Sequence, residues 1–360
     1  MMTQRVDAAR RRMRDDGIDL LVIPPGEDFS YLLSYSPHAD ERPCYLFVHS
    51  EETLFVVPEL NAAEAAAHTP FPTLVYTDAE GPAAALRESQ ARLGKPRVIA
   101  PGDTMRADAL LLLQAQWPDA AYLPGARVMA PLRMIKSAEE IAALRRSAAT
   151  ADVTVAEVFA AVHPGLTELE VARLAEEAFR RQGVQEVPSA IAGSGSNSAY
   201  PHHRSSDRRL REGEPLLLDC GGRLDGYMSD ITRMAFLGAP TARYWEVHAI
   251  VEEAVAAALA LVRPGAPIRD VDRAARGVIE RAGYGAQFTH RTGHGIGVSG
   301  HEPPSITHTN ETPLAVGMTF SVEPGIYLLG DFGVRLEEIV VVTERGGEIL
   351  SALDRAVRVI

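Results

Sequence analysis

Cysteine and positive charge are both scarce in this 360-residue sequence. The two cysteines, Cys44 and Cys220, form no CxxC pair, which excludes a disulfide framework or a structural zinc site as the basis of the fold. Only 36 basic residues face 48 acidic residues, for a formal charge of −12. Without an excess of lysine and arginine to neutralise phosphates, we expect neither a nucleic-acid partner nor an anionic-membrane partner.

Long hydrophobic runs are also missing. No apolar stretch precedes residue 18, which argues against a secretory signal, and no run reaches the roughly 20 residues of a membrane helix. The N-terminal arginines, such as Arg5 and Arg10, are interleaved with Val6, Ala9 and Met13 at helical spacing. We interpret them as the solvated face of a helix, and we expect a soluble cytoplasmic protein.

The length and the texture of the chain predict two domains. Residues 1–130 alternate short apolar runs with helical patterns, which is typical of an α/β domain. The candidate elements are the strands Leu20–Ile23, Tyr45–Val48, Thr53–Val57, Thr73–Tyr76 and Arg97–Ala100 and the helical stretches Ala62–Ala67 and Ala83–Leu93. A capping box over residues 137–140 opens a long helix towards Val162, and with it a second domain over residues 133–360.

The second domain contains an internal repeat with a period of about 100 residues. His163-Pro-Gly165 and Arg263-Pro-Gly265 each follow an Ala-rich helix and open another helix, which ends at Gly183 in the first case and Gly283 in the second. Strand-like runs follow each helix pair. The sequence therefore predicts two halves of similar order.

Acidic residues follow the same repeat. Asp219 stands six positions after Gly213, and Glu323 stands six positions after Gly317. Each acid has a second acid further along, and these are Asp230 and Glu337. Two halves that each offer two carboxylates from strand-like segments predict a pseudo-twofold domain whose halves converge on one site.

The four acids and one histidine are typical of a metal site. A carboxylate beside a buried strand is costly unless it is paired or bound to a metal, and Asp219 directly follows the apolar run 216–218. His294 lies between glycines, which let the backbone pass close to a ligand. This oxygen-rich set suits two divalent ions such as Mn, Co, Fe or Zn, which about 3.5–4 Å apart can share a hydroxide and polarise a carbonyl.

Four segments resemble the signature sequences of the pita-bread metallopeptidases: LLLDCGG with YMSDITR, GHGIGVSGHE, VEPGIY and GVRLEE. That family includes prolidase, aminopeptidase P, methionine aminopeptidase and the metal-free creatinases. The resemblance covers residues 133–360 well and the first third loosely. It implies an α+β pita-bread (creatinase/aminopeptidase-like) catalytic domain preceded by a smaller α/β domain, and it implies a homodimer.

The resemblance also implies a role for each ligand position. Asp219 would hold the first metal, His294 and Glu323 would hold the second, and Asp230 and Glu337 would bridge the two. Glu323 would in addition act as the acid and base that handles the proton of the attacking water, as suits a carboxylate beside that water.

Further residues match substrate-facing positions of the family. His301 would contact the substrate near the scissile carbonyl, His202 would steady the tetrahedral intermediate, and His290 would line the same pocket. Thr232 and Arg335 are expected to orient the carboxylates, and Arg335 is also a candidate substrate-binding residue.

Two activities remain within the family. Methionine aminopeptidases usually lack a domain like residues 1–130, and creatinases lack the ligands that are intact here. The resemblance therefore implies cleavage of Xaa-Pro bonds in small proline-containing peptides, by a prolidase acting on dipeptides or an aminopeptidase P acting on longer chains. The length of 360 residues resembles that of short microbial prolidases and favours prolidase. A relative without activity that binds peptides or partner proteins is the alternative from another class.

A prolidase needs a cation near the proline carboxylate and an anion near the free amine. The charged turn of Asp40, Glu41 and Arg42 offers both. Our hypothesis is that these side chains reach the active site, from a partner subunit, and cap a dipeptide at its two ends. The other interpretation is a solvated turn, the common fate of charged loops.

Overall fold

The structure, a computed structural model, describes residues 2–360, with the backbone alone at residue 189. The chain divides into two compact units, the first ending at Arg133 and the second running from Met134 to Ile360. In the described part of the chain, no helix combines the length and the apolar character needed to cross a bilayer.

The first unit is a sheet with helices around it. Its elements are α1 (Met2–Asp15), β1 (Leu20–Ile23), α2 (Glu27–Leu33), β2 (Tyr45–His49), β3 (Thr53–Pro58), α3 (Glu59–His68), β4 (Thr73–Tyr76), α4 (Ala83–Leu93), β5 (Val98–Pro101), α5 (Ala107–Gln116), β6 (Ala121–Tyr122) and α6 (Ala126–Met134). The strand order is β4-β3-β2-β1-β5-β6, and β2 is antiparallel to both of its neighbours. The predicted strands and helical stretches of this unit are confirmed, with small shifts at their ends.

The second unit has more strands and four long helices. Its elements are α7 (Ala138–Ala161), α8 (Glu168–Arg181), β7 (Glu186–Ser194), β8 (Pro215–Leu224), β9 (Tyr227–Met228), β10 (Ile231–Phe236), α9 (Ala242–Leu259), α10 (Ile268–Arg281), β11 (Gly293–Gly295), β12 (Glu302–Ile306), β13 (Thr319–Val322), β14 (Gly325–Leu328), β15 (Phe332–Arg335), β16 (Glu338–Thr343), β17 (Gly346–Ile349) and β18 (Arg358–Val359). The predicted capping box is confirmed, because Ser137 Oγ accepts the Glu140 N–H and the Glu140 carboxylate accepts the Ser137 N–H.

The internal repeat is confirmed as two halves of the same construction. In the first half, helices α7 and α8 precede the sheet β18-β10-β8-β7, with β9 paired to β8. In the second half, helices α9 and α10 precede the sheet β12-β11-β13-β16-β17. Gly213 and Gly317 have φ values of 83° and 91°, a backbone conformation that favours glycine, just before the strands β8 and β13.

The two cores show the repeat at the level of single side chains. Helix α8 contributes Val171, Ala175 and Phe179 to the core that also contains Leu216 and Leu218 of β8, and α10 contributes side chains 100 positions later to the core that also contains Phe320 and Val322 of β13. Those equivalent residues are Val271, Ala275 and Ile279. Burial of each large apolar side chain contributes about 1.5–3 kcal/mol, so each core stabilises a helix together with the strand that carries or directly precedes an acid of the candidate site.

Candidate metal centre

Two antiparallel strand pairs hold the four predicted acids. Asp219 lies in β8 opposite Thr232 of β10, and Asp230 directly precedes β10. Glu323 directly follows β13, and Glu337 directly precedes β16, the antiparallel partner of β13. Each half therefore presents its two carboxylates from neighbouring strands, as the repeat predicts.

His294 lies in β11, beside β13. Its flanking glycines are needed for a reason other than the predicted approach of a ligand. A Cβ atom on Gly293 would lie 1.8 Å from the carbonyl oxygen of Ser321, and one on Gly295 would lie 2.2 Å from that of Pro303. Neighbouring backbone thus excludes any side chain there.

The structure brings the five predicted ligands together. Within each of three overlapping groups, the side-chain oxygen and nitrogen atoms lie within 4.8 Å of one another. The groups are Asp219 with Asp230 and Glu337, His294 with Glu323 and Glu337, and Asp230 with His294 and His301. Ligand atoms lie about 2.0–2.2 Å from a transition-metal ion, so atoms on opposite sides of one ion are about 4 Å apart.

The charge of this cluster is unbalanced. Burial raises the pKa of Asp219 above its ordinary value, and it raises the pKa of Asp230 and Glu337 well above theirs, with a further rise from the neighbouring acids. Burial opposes the ionisation of Glu323 as well, but the hydrogen bond and charge of His294 lower the Glu323 pKa to about 2. Added divalent cations would remove the mutual repulsion of these acids.

The ring of His294 is oriented as a ligand. Its Nδ1 lies 3.1 Å from the carbonyl oxygen of Gly295, which can only accept, so Nδ1 carries the proton. Its Nε2 lies 3.2 Å from Oε1 of Glu323. Burial lowers the His294 pKa, but the Glu323 carboxylate outweighs burial and raises it. A metal cation between the two side chains would take the place of a proton on Nε2 and leave the proton on Nδ1, so the residues present fit a metal.

The hydroxyl of Ser321 connects His294 and Glu323. It accepts the N–H of His294 at 3.0 Å and donates to Oε1 of Glu323 at 3.0 Å. The sequence offered no signal for Ser321 beyond its place before the acid.

His301 and His202 lie at the edge of the cluster. The rings of His301 and His294 have centroids 3.7 Å apart, and Arg291 donates to Nδ1 of His301 at 3.4 Å. Burial and the charges of His294 and Arg291 lower the His301 pKa to about 4, so the ring is neutral and its proton is on Nε2. His202 is exposed, and its charge helps to lower the pKa of His301 and of His290, after burial.

A hydrogen-bonded chain joins His290 to the acids through a tyrosine that our sequence reasoning did not single out. Nδ1 of His290 donates to the carbonyl oxygen of Arg291 at 2.7 Å, so Nε2 accepts from the Tyr327 hydroxyl at 2.8 Å. Arg335 donates to the same hydroxyl at 3.0 Å and to Asp219 at 2.5 Å. The signal for Tyr327 was its place in VEPGIY.

Arg335 is engaged on every nitrogen. Its side chain is 3% exposed, and its Nε donates to Oγ1 of Thr232, which in turn donates to Glu337 at 2.8 Å. These contacts have the geometry that an orienting role for Thr232 and Arg335 requires. The proposed contact of Arg335 with a substrate stays a prediction.

The charged turn lies in the first unit, where its members bind one another. Arg42 donates to both oxygens of Asp78 at 2.8 and 2.9 Å, to Asp40 at 2.9 Å and to Glu41 at 3.1 Å. These contacts describe a closed local network. The proposed reach of Asp40, Glu41 and Arg42 to a substrate stays a prediction.

Comparisons with known proteins agree with the fold. The profile of metallopeptidase family M24 matches residues 142–344, and that of the creatinase/prolidase N-terminal domain matches residues 5–135. A probable dipeptidase PepE of Mycobacterium tuberculosis is 39% identical over 356 residues, which cover 95% of this chain and 92% of the relative.

Two solved structures extend the likeness to three dimensions. A prolidase from Thermococcus sibiricus superposes with a TM-score of 0.96 at 32% identity, covering 100% of this chain and 99% of its own. Dipeptidase PepE from Mycobacterium ulcerans superposes with a TM-score of 0.94 at 36% identity, covering 100% and 98%. With both domain profiles matched in order and the ligand cluster assembled between two repeated halves, this chain belongs to metallopeptidase family M24 and has its pita-bread fold.

Proposed function

We propose that this chain is a dipeptidase that hydrolyses Xaa-Pro bonds with two divalent metal ions. The observation that carries the proposal is the cluster of four carboxylates and one imidazole, buried or half-buried, whose charge calls for cations. Its proposed ligands are Asp219, Asp230, His294, Glu323 and Glu337. The names dipeptidase and prolidase, borne by relatives that match nearly the whole chain, support the choice of substrate.

The donor set favours manganese, with cobalt, zinc or iron as alternatives, because oxygen donors dominate and no thiolate takes part. When bound, two such ions polarise a carbonyl and lower the pKa of water. By the family resemblance, Asp230 and Glu337 would contact both ions, and each of them lies in two of the three ligand groups, as His294 also does.

Glu323 is the proposed proton carrier. One of its oxygens is held by Ser321 and faces His294, so the carboxylate has a fixed direction. We expect it to accept the proton of the attacking water and to deliver it to the proline nitrogen. Delivery matters because that nitrogen is a tertiary amide without an N–H, and it leaves as an amine only after it gains a proton.

His301 and His202 are the proposed donors to the developing oxyanion. His301 is neutral with its proton on Nε2, as the contact from Arg291 requires. A donor aimed at the charge of a tetrahedral intermediate typically lowers the activation free energy by about 2.7–4 kcal/mol. His290 would line the same pocket, with its ring held by Tyr327.

The experiment that tests the function is a competition between two substrates. Protein loaded with Mn²⁺, and the same protein after chelation, receive a mixture of Leu-Pro and a longer Xaa-Pro-Yaa-Zaa peptide, and mass spectrometry follows both. Metal-dependent loss of the dipeptide alone is the expected result. Release of the first residue from the longer peptide would instead indicate an aminopeptidase P, and cleavage of neither would favour a silent relative.

Matched variants make that result specific to the cluster. Asp219→Asn removes one ligand charge and should abolish cleavage, whereas Glu344→Gln removes an exposed charge in a turn and should change nothing.

A homodimer is also part of the proposal, because the charged turn of Asp40, Glu41 and Arg42 was expected to reach the active site of a partner subunit. Arg42→Ala should then raise KM for the dipeptide, and an unchanged KM would reduce the turn to a local network.

A further inference from the structure

Two acids outside the metal cluster are fully buried, one in each half of the repeat. Glu168 is the first residue of α8 and Asp272 lies in α10, and both are 0% exposed. The repeat itself does not account for them, because Ile268 and Ala172 occupy the positions 100 residues away. Each acid is therefore explained by what it binds in its own half.

Glu168 binds the segment that carries His202. Its oxygens accept from the backbone and hydroxyl of Ser194, both at 2.8 Å, from Asn197 at 3.0 Å, from Nε2 of His203 at 2.8 Å and from the hydroxyl of Ser206 at 2.7 Å. Burial tends to raise the Glu168 pKa, but these hydrogen bonds outweigh it and lower the pKa. One ionised carboxylate thus ties together residues 194–206.

Asp272 binds the segment that leads to the metal ligands. It accepts from the backbone and the hydroxyl of Thr292, at 3.1 and 2.8 Å, and from two nitrogens of Arg276, both at 3.0 Å. Arg276 also donates to the carbonyl oxygen of His290 at 2.9 Å. The carbonyl of Thr292 accepts the N–H of Glu323 at 2.8 Å, so the contact extends to a proposed ligand.

We propose that Glu168 and Asp272 are positioning residues, each of which holds a different part of the active site in place. Asp272 sets the geometry of the metal ligands that follow Thr292, and Glu168 sets the position of the oxyanion donor His202. The duties ascribed to His202 and to the ligands rest on the proposed function. Neither acid touches the substrate, so each acts through the segment that it binds.

The two positioning roles predict that two isosteric substitutions affect different quantities, metal affinity in one case and kcat in the other. Asp272→Asn should weaken the binding of Mn²⁺, measured by calorimetry, about 10- to 100-fold, the usual effect of removing a group that orients metal ligands. Glu168→Gln should leave the affinity for Mn²⁺ within twofold of wild type. At saturating Mn²⁺ it should lower kcat for the dipeptide at least tenfold with little change in KM.

The control variants lie on the same helices. Asp270→Asn in α10 and Glu177→Gln in α8 each remove one charge from a more exposed side chain, and neither should change metal affinity or kcat. Where Asp272→Asn or Glu168→Gln fails to fold, Thr292→Val and Ser206→Ala each remove one hydroxyl contact of the same network. They should then show the same division of effects at smaller size.

The division of effects is what decides the proposal. Equal losses of metal affinity and kcat in both variants, or an unchanged affinity in Asp272→Asn, would overturn it. Failure of the proposed function has a different signature, in which wild type binds Mn²⁺ yet cleaves no dipeptide. Calorimetry still tests Asp272 in that case, and hydrogen exchange tests Glu168, whose substitution should speed exchange in residues 194–206 and leave residues 288–294 unchanged.

Discussion

The hydroxyl of Tyr327 donates to Nε2 of His290 and accepts from Arg335, so a single oxygen holds both the ring of a pocket histidine and the arginine that binds Asp219. Burial raises the Tyr327 pKa to about 12, and the hydroxyl therefore keeps its proton throughout the neutral range. Hydrogen bonds through Tyr327 thus connect the pocket to the metal cluster.

Tyr327→Phe should affect the substrate pocket and leave the metal cluster largely unchanged. The change removes two hydrogen bonds and leaves the buried Nε2 of His290 without a donor, at a cost of about 1–3 kcal/mol in the free energy of unfolding. We expect kcat/KM to fall about tenfold while metal affinity changes little, because Arg335 keeps its contacts with Asp219 and Thr232. Urea unfolding and calorimetry with Mn²⁺ measure the two effects, and a large loss of affinity would contradict the assignment.

Metal removal should lower the stability of the second domain. Because the acids repel one another when no cation is present, ions that bind the folded state stabilise it, by about 2.7 kcal/mol at a concentration 100 times the Kd. The melting temperature should rise with added Mn²⁺ and fall with chelator. Asp219→Asn should flatten this dependence and Glu344→Gln should preserve it; a melting temperature indifferent to Mn²⁺ in wild type would count against the site.

The buried ion pair of Lys136 and Glu302 should be costly to break. The two side chains are each 2% exposed and their charged atoms are 2.7 Å apart, immediately before α7 and next to His301. Lys136→Met should lower the free energy of unfolding by about 3–5 kcal/mol, since it removes one partner of a buried ion pair. The double variant with Glu302→Gln should recover much of that loss in urea unfolding, and strict additivity of the two changes would be the contrary result.

Glu168 should contribute a pH-dependent part of the stability. Its folded pKa lies below its ordinary value of 4.5, so the stabilising contribution is present above pH 4.5 and is lost as the pH falls through the folded pKa. With chelated protein, the difference in unfolding free energy between wild type and Glu168→Gln should be constant from pH 5 to 7 and shrink below about pH 4. Glu177→Gln, whose charge is exposed, should show no such dependence.

The sequence predicted those features that local pattern controls. The strand Leu20–Ile23 is an unbroken apolar run because all four side chains are buried, and the spacing of Asp219 and Glu323 after their glycines follows from the repeat. The helices α8 and α10 were marked by their turns and by the spacing of apolar residues. Such signals lie within a few residues of the feature that they predict.

The sequence did not predict the partners of isolated charges. Glu168 stands in a helix where an acid normally faces solvent, and its partners come from positions 26 to 38 residues later, beyond that helix. Arg42 looked available to a substrate because Asp78, 36 residues away, gave no sign of pairing with it. Long-range pairing of this kind has no periodicity, and only the folded chain reveals it.

The cluster draws Asp219 and Asp230 from the first half of the catalytic unit, and it draws His294, Glu323 and Glu337 from the second. The group of His294, Glu323 and Glu337 comes from the second half alone, whereas the group of Asp219, Asp230 and Glu337 draws on both halves, which are built alike. An ion held by the mixed group would link the two halves and oppose their separation. Loss of that ion would loosen the contact between the halves, whereas loss of an ion from the other group would leave it intact.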